Sequence, residues 1–222
     1  MAMYALVDAS NFYASCEQNF RPSLKGVPLV VLSNNDGNAI ARSEEAKALG
    51  IKMGAPWFQI RHLEASHGLV GLSANFPLYG DMSNRLMSLV AGLGHRTEVY
   101  SIDEAFVDVE GIPGDLTERA FKIRARIHRW LGLQCGVGIG STKTLAKLAN
   151  HVSKDAERKP GSYPAHLAQV CNYEALSEKE KREILKSTLV GDIWGIGRRL
   201  GAQLGFVAQV GRQTRLPQPQ TQ

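Results

Sequence analysis

Cysteine is scarce in this chain: Cys16, Cys135 and Cys171 are the three among 222 residues, and they lie far apart. They form neither a metal-ligand cluster nor a disulfide framework, so a reducing compartment is the default. Long apolar runs are missing too. None approaches the roughly 18–20 residues needed to cross a bilayer. The opening MAMYALVD reaches an acid at position 8 with no basic leader before it, so the expectation is a cytoplasmic protein. Neither sign of charge dominates. The net charge is +5 and the pI about 9.2, which permits a polyanionic partner without requiring one. What is present is core material: 44% of residues are apolar and 21% charged, enough for one large domain or two modest ones.

Along the chain, Tyr4–Val7 reads as a short buried strand ending at Asp8, followed by a helix over Asn11–Asn19. Val27–Ser33 is a second apolar strand, stopped by the turn sequence NNDGN. Ser43–Leu49 reads as a short helix ended by Gly50, and Ala65–Leu72 as a further strand. Leu78, Met82, Leu86 and Leu89 recur at helical spacing. Leu116–Leu131 is an amphipathic helix whose apolar face is Leu116, Ala120, Ile123, Ile127 and Trp130. QCGVGIG is a strand running into a glycine turn, and Ser141–Val152 another helix. Strands and helices mix without a simple βαβ repeat, which predicts an α+β domain. From about Pro164 the pattern turns helical, around WGIGRRLGAQLG. The final VGRQTRLPQPQTQ, rich in Gln and Pro, reads as a disordered tail.

The chemistry is concentrated in YSIDEAFVDV, Tyr100–Val109, where Asp103 and Glu104 are adjacent inside an apolar run. On a regular strand neighbours point to opposite faces, so the two cannot both be plain core residues. Buried carboxylates need a compensating positive partner. Asp8, at the end of the first strand, offers the other half of an acidic site. Such oxygens suit magnesium, and two ions about 3.5–4 Å apart can drive phosphoryl transfer. Solvated, unrelated acids are the plain alternative at this stage.

Five ordered blocks then bear on the choice: YALVDASNFYASCE, VVLSNNDGNAIARSEEAKALGIKMG, YSIDEAFVDV, CGVGIGSTKTLAKLAN and DIWGIGRR. Together they resemble the Y-family of translesion DNA polymerases, most of all its UmuC-type branch, from about Tyr4 to Leu200. The resemblance implies a palm in two parts, 1–26 and 77–163, small fingers over 27–76, and a partial thumb with a helix-hairpin-helix-like motif over 164–205. Residues 206–222 are left as a disordered or aberrant tail. It implies that Asp8, Asp103 and Glu104 are catalytic and, with the carbonyl of Ala9, hold two Mg2+ ions. Tyr13 would be the steric gate against a ribose 2′-hydroxyl, Phe12 would pack beneath the incoming sugar, and Lys147 would reach the triphosphate. By spacing alone, Phe12 and Tyr13 are ordinary core aromatics and Lys147 a solvated lysine.

Two departures stand out. In AIARSEEAKALG, Glu44 and Lys47 occupy positions where a common family pattern has Tyr and Arg. Lysine keeps the charge and loses the two-pronged geometry, and an ionised glutamate donates no hydrogen bond; Arg42 is a substitute cation. In GIGRR, Gly195 and Gly197 allow close backbone approach to a phosphate, and Arg198 and Arg199 add charge toward a duplex. Trp194 replaces a proline common there. The resemblance further implies primer-template DNA and deoxynucleoside triphosphates as substrates, and a UmuD′ dimer, RecA and the sliding clamp as partners. No little-finger domain follows the partial thumb, which predicts impaired DNA holding. The rivals are a noncatalytic DNA- or partner-binding remnant and a nucleotide phosphotransferase with a related palm and no DNA role.

Overall fold

The computed structural model describes residues 2–197 and 199–205. Its main body is a five-stranded sheet in the order β5-β6-β1-β7-β8. The strands are β1 (Tyr4–Ala9), β5 (Arg96–Val99), β6 (Glu104–Asp108), β7 (Cys135–Gly140) and β8 (Val170–Asn172). All neighbours are antiparallel except β7 and β8. A second sheet, in the order β3-β2-β4, is built from β2 (Leu29–Leu32), β3 (Ala39–Arg42) and β4 (Val70–Ser73). The α+β expectation is therefore met.

Alternation decides which side of the large sheet each helix takes. Ala5, Val7 and Ala9 of β1, Ala105 and Val107 of β6, and Cys135, Val137 and Ile139 of β7 are buried on one face. That face packs against α5 (Phe76–Val90) through Tyr79, Met82 and Leu86, and against α6 (Leu116–Leu131) through Ala120, Ile123 and Ile127. The opposite face carries Tyr4, Leu6 and Asp8, with Gly140, Gly138 and Gly136 in register on β7. Here α7 (Lys143–Arg158) lies across the strands. A Cβ on Gly138 would run into the backbone of Ala146 and Asn150, so the alternating glycines are what let this helix sit against bare strand. The apolar side of α7, Leu148, Ala149 and Val152, packs outward on Leu167, Cys171, Tyr173 and, from α8 (Glu178–Ser187), Ile184.

The small sheet divides its loyalties in the same way. Val30 and Leu32 enter a local core with Ala39, Ala46, Ile51, Ile60 and Leu69. Val31 and Ala41 join the main core beside Phe12 of α1 (Phe12–Phe20). The second unit is thereby docked on the body beside the start of α1. It also carries α2 (Glu44–Ala48), α3 (Trp57–Ile60) and α4 (Leu63–His67). The Ser43 hydroxyl accepts from the Ala46 amide at the start of α2, and Gly50, at φ 78°, follows its end.

Several sequence expectations need correction. Tyr100–Asp103 is not strand but the tip of the β5–β6 hairpin, where the Tyr100 and Ser101 amides both donate to the Glu104 carbonyl. Trp130 is off the apolar face of α6: it is 65% exposed, with the Arg126 guanidinium 5.8 Å from its ring. The stretch expected to be one strand over Ala65–Leu72 is the end of α4 and the start of β4. The segment after Pro164 is not purely helical, because β8 pairs parallel with β7 in the main sheet. The predicted tail, 206–222, lies outside the described residues.

Candidate active site

Asp8 and Glu104 face each other across the β1–β6 ladder as register partners. Opposed residues on antiparallel strands sit about 4.5–5.5 Å apart at Cα with side chains on the same face. Asp103 is one residue upstream, on the hairpin tip, where its carbonyl accepts from the Ala9 amide at 2.9 Å. The three predicted acids and Ala9 thus converge. Their immediate partners differ. The Lys154 ammonium lies 2.5 Å from Asp8 Oδ1. Lys147 Nζ donates to both Glu104 oxygens at 3.0 and 2.8 Å. The Ser101 hydroxyl donates to Asp103 Oδ1 at 2.8 Å.

Those lysines explain the charge balance. Lys147 follows Lys143 by four residues and Lys154 follows Lys147 by seven on α7, which puts them along one side of the helix. Lys143 meets Glu98 at 2.6 Å, Lys147 meets Glu104 and Lys154 meets Asp8. A Cβ at Gly136 would press on the Lys154 side chain, so the glycine strand also leaves room for this row. Among the described residues Asp103 has no such cation in contact. Burial holds its carboxyl above the ordinary carboxylate range, and the neighbouring Asp8 and Glu104 add to the shift. Among the described residues no three acid, histidine or cysteine side chains form a ready-made metal cluster. The donor set nevertheless fits a hard divalent ion: three carboxylates occupy adjoining positions, two of them balanced by lysine ammonium groups.

Asp103 also borders a cleft of about 330 Å³ lined by Asn11, Phe12, Tyr13, Ile40, Ala41, Arg42, Lys47, Met53 and Ile102. Four of the predicted nucleotide contacts therefore share one cavity with an acid. Tyr13 stacks on Tyr79 with centroids 4.3 Å apart and meets Phe76 edge-on. Burial, then Asp103, raises its phenol above the usual range. Phe12 is 3% exposed, a core residue that also forms cleft wall. Arg42 Nη1 donates to the Ile51 carbonyl at 2.6 Å, and its buried Nε has no hydrogen-bond partner among the described residues. Lys147 is not in this cleft; its ammonium sits over the Tyr100 ring at 4.5 Å and the Trp194 ring at 5.7 Å.

Sequence reasoning missed Lys154 as a site residue and Asn11 altogether. The helical spacing of Lys154 from Lys147, opposite a glycine-alternating strand, was the available signal for the first. At the predicted hairpin, Gly195 takes φ 90°, whereas a Cβ at Gly197 would meet open space. Arg199 is exposed, and Arg198 lies outside the described residues. Trp194 meets the Tyr100 and Phe106 rings, its indole N–H donating to the Tyr100 hydroxyl at 3.3 Å.

Comparison with known proteins resolves the family. The family model described as the impB/mucB/samB family matches residues 7–151, which include all three acids and Lys147. The chain belongs to the impB/mucB/samB family. Protein UmuC of Salmonella typhimurium is 46% identical over 204 residues, covering 91% of this chain and 46% of that protein. Protein ImpB of Salmonella typhimurium is 44% identical over 207 residues with the same coverage. DNA polymerase IV of Picrophilus torridus is 31% identical over 210 residues, covering 92% of this chain and 56% of that one. The chain spans about half the length of the curated relatives it matches. An insertion ternary complex of Dbh DNA polymerase superposes with a TM-score of 0.76 at 28% identity, covering 92% of this chain and 57% of that one. DinB from Sulfolobus solfataricus gives a TM-score of 0.74 at 28% identity, covering 93% and 57%. The Y-family, UmuC-type resemblance and its palm-and-fingers fold are borne out. A divalent metal is the cofactor class this family implies. Among the described residues no helix is long and apolar enough to cross a membrane.

Proposed function

We propose that this impB/mucB/samB-family chain is the catalytic portion of a translesion DNA polymerase, adding deoxynucleotides opposite damaged template bases during SOS mutagenesis and DNA repair. The observation that carries the reading is the junction at Asp103. Its main chain is tied to Ala9, its neighbour Glu104 is in register with Asp8, and its side chain borders the cleft floored by Tyr13.

In this reading Asp8, Asp103, Glu104 and the Ala9 carbonyl would hold two Mg2+ ions. When bound, these neutralise phosphate charge and favour the primer 3′-hydroxyl as a nucleophile. The primer 3′-hydroxyl attacks the α-phosphate and pyrophosphate leaves. The chain's own residues do the positioning. The Tyr13 ring, held by its stack on Tyr79, would be the steric gate against a ribose 2′-hydroxyl. Phe12 supports the sugar from the core. Lys47 and Arg42 supply cleft cations toward the triphosphate. Lys147 would reach the triphosphate, with Lys154 on the same side of α7, their charge offsetting the negative charge that develops. Gly195, Gly197, Arg198 and Arg199 meet the DNA backbone without reading sequence. The UmuC-type resemblance adds a UmuD′ dimer, RecA and the sliding clamp as partners, and the cytoplasm as compartment.

Primer extension with Mg2+ on a lesion-bearing template tests this. Nucleotide addition that disappears in Asp8→Asn supports it, and no addition at high protein concentration overturns it. A DNA-holding role without synthesis gives primer-template binding that weakens steeply with salt but no extension. A phosphotransferase unrelated to DNA gives nucleotide binding indifferent to primer-template.

A further inference from the structure

The cleft cation Lys47 is not free-standing. Its ammonium donates to Asn11 Oδ1 at 2.5 Å and to Glu44 Oε1 at 3.0 Å. The same Glu44 oxygen accepts from Asn11 Nδ2 at 2.8 Å and lies 3.5 Å from Arg158 Nε. One carboxylate oxygen therefore gathers groups from the residue before α1, from α2 and from the end of α7. Only one orientation of the Asn11 amide serves both neighbours, with oxygen toward the ammonium and nitrogen toward the carboxylate. Asn11 is also unusual where it stands. It precedes α1 at φ 52°, and its side chain makes no capping bond to that helix. An asparagine at a helix start ordinarily caps it; this one is diverted to Glu44 and Lys47.

The two charges look into different spaces. Lys47 lines the Tyr13 cleft with Asp103, whereas Glu44 lines a separate polar cleft of about 420 Å³ with Ser10, Gln134 and Arg158. Glu44 thus stands behind Lys47 with respect to the Tyr13 cleft. The other cleft cation, Arg42, is anchored to the Ile51 carbonyl. Lys47, on a flexible four-carbon stem, needs an external anchor to present its charge at a fixed place. Glu44 is half exposed, 54% at the side chain, so the fold has little need of it as a buried support.

We propose that Glu44, bridged by Asn11, is a positioning residue that fixes the Lys47 ammonium at the mouth of the cleft and thereby sets affinity for the incoming nucleoside triphosphate. The inference rests on the polymerase reading and deepens it. Glu44 acts through Lys47 and touches no substrate. Burial works to raise the Glu44 carboxyl, but the hydrogen bonds from Asn11 and Lys47 and the charges of Lys47 and Arg158 outweigh it and hold the group below the usual range.

The test is calorimetric titration of the full 222-residue chain, bound in Mg2+ to primer-template whose primer ends in a dideoxynucleotide and so cannot be extended, with the deoxynucleoside triphosphate complementary to the template base. Glu44→Ala is expected to weaken the Kd about three- to tenfold, the worth of one or two hydrogen bonds. Glu44→Gln keeps an acceptor for Lys47 and Asn11 and is expected within about twofold of the parent. In a Lys47→Met background, Glu44→Ala should change nothing further, because the residue it positions is gone. Thermal melting of each variant confirms folding. Unchanged or tighter binding by Glu44→Ala, or the same loss with Lys47 already removed, overturns the inference alone. A parent chain that binds no nucleoside triphosphate removes the polymerase reading along with it.

Discussion

The molecule holds its working lysines in two contrasting ways. On the large sheet, Lys147 and Lys154 are pressed onto their acids by a helix seated against bare glycine strand, with side chains 20% and 15% exposed. In the small unit, Lys47 is held by a surface network through Asn11 and Glu44 on a five-residue helix. The first arrangement is set by main-chain packing and is costly to disturb, since losing one charge strands another away from water. The second is set by side chains that solvent can replace. A catalytic centre calls for the former, whereas a substrate contact that must yield and re-form suits the latter.

The comparison can be broken most severely at the acids. Asp8→Asn or Asp103→Asn should cut nucleotide incorporation by about 100-fold or more while the protein stays folded, measured by primer extension with circular dichroism as control. Next in size is Gly138→Val. Its branched side chain meets the Ala146 and Asn150 backbone, so α7 must lift. We expect a loss at or beyond the upper end of about 1–3 kcal/mol by urea unfolding. Lys154→Met should cost about 1–2 kcal/mol, between the values for exposed and buried pairs, because Asp8 is left partly buried without its cation. Lys47→Met should cost no more than about 0.5 kcal/mol. Equal losses at these two lysines would erase the distinction drawn here.

The smallest effect concerns the thiols. Burial pushes Cys16, Cys135 and Cys171 up to about 12. A thiol with a raised value stays protonated at pH 8, and thiolate would appear only as pH approaches that value. All three should resist iodoacetamide at pH 8 in the folded protein and react on denaturation. Rapid labelling of Cys135, on the glycine strand, would show that the strand under α7 opens readily.

Much of this was legible in the chain of letters. β1, α6 and β7 announce themselves by period, because alternation and the 3.6-residue repeat survive wherever an element has one dry face. Errors came where local pattern and tertiary context part. Tyr100–Asp103 looks like strand because its residues favour strands, but β5 must reverse into β6 and the tip falls there. Trp130 fits the apolar stripe of α6 by size, yet it lies near the end of the helix and its ring meets Arg126. β3 was hidden inside a segment read for its charges, and β8 is only three residues long.

The acids show the same division. Sequence order alone brought Asp8, Asp103 and Glu104 under suspicion, since carboxylates inside apolar runs need a compensating partner. It also specified the glycine alternation of β7 and the lysine spacing of α7, both written in nearest-neighbour periodicity. Only the folded chain decided which lysine meets which acid, that Asp103 turns toward the Tyr13 cleft, and that Asn11 leaves its own helix to join Glu44 to Lys47. Those pairings link residues 33 to 146 positions apart. They depend on strand register and helix seating, which no local pattern encodes.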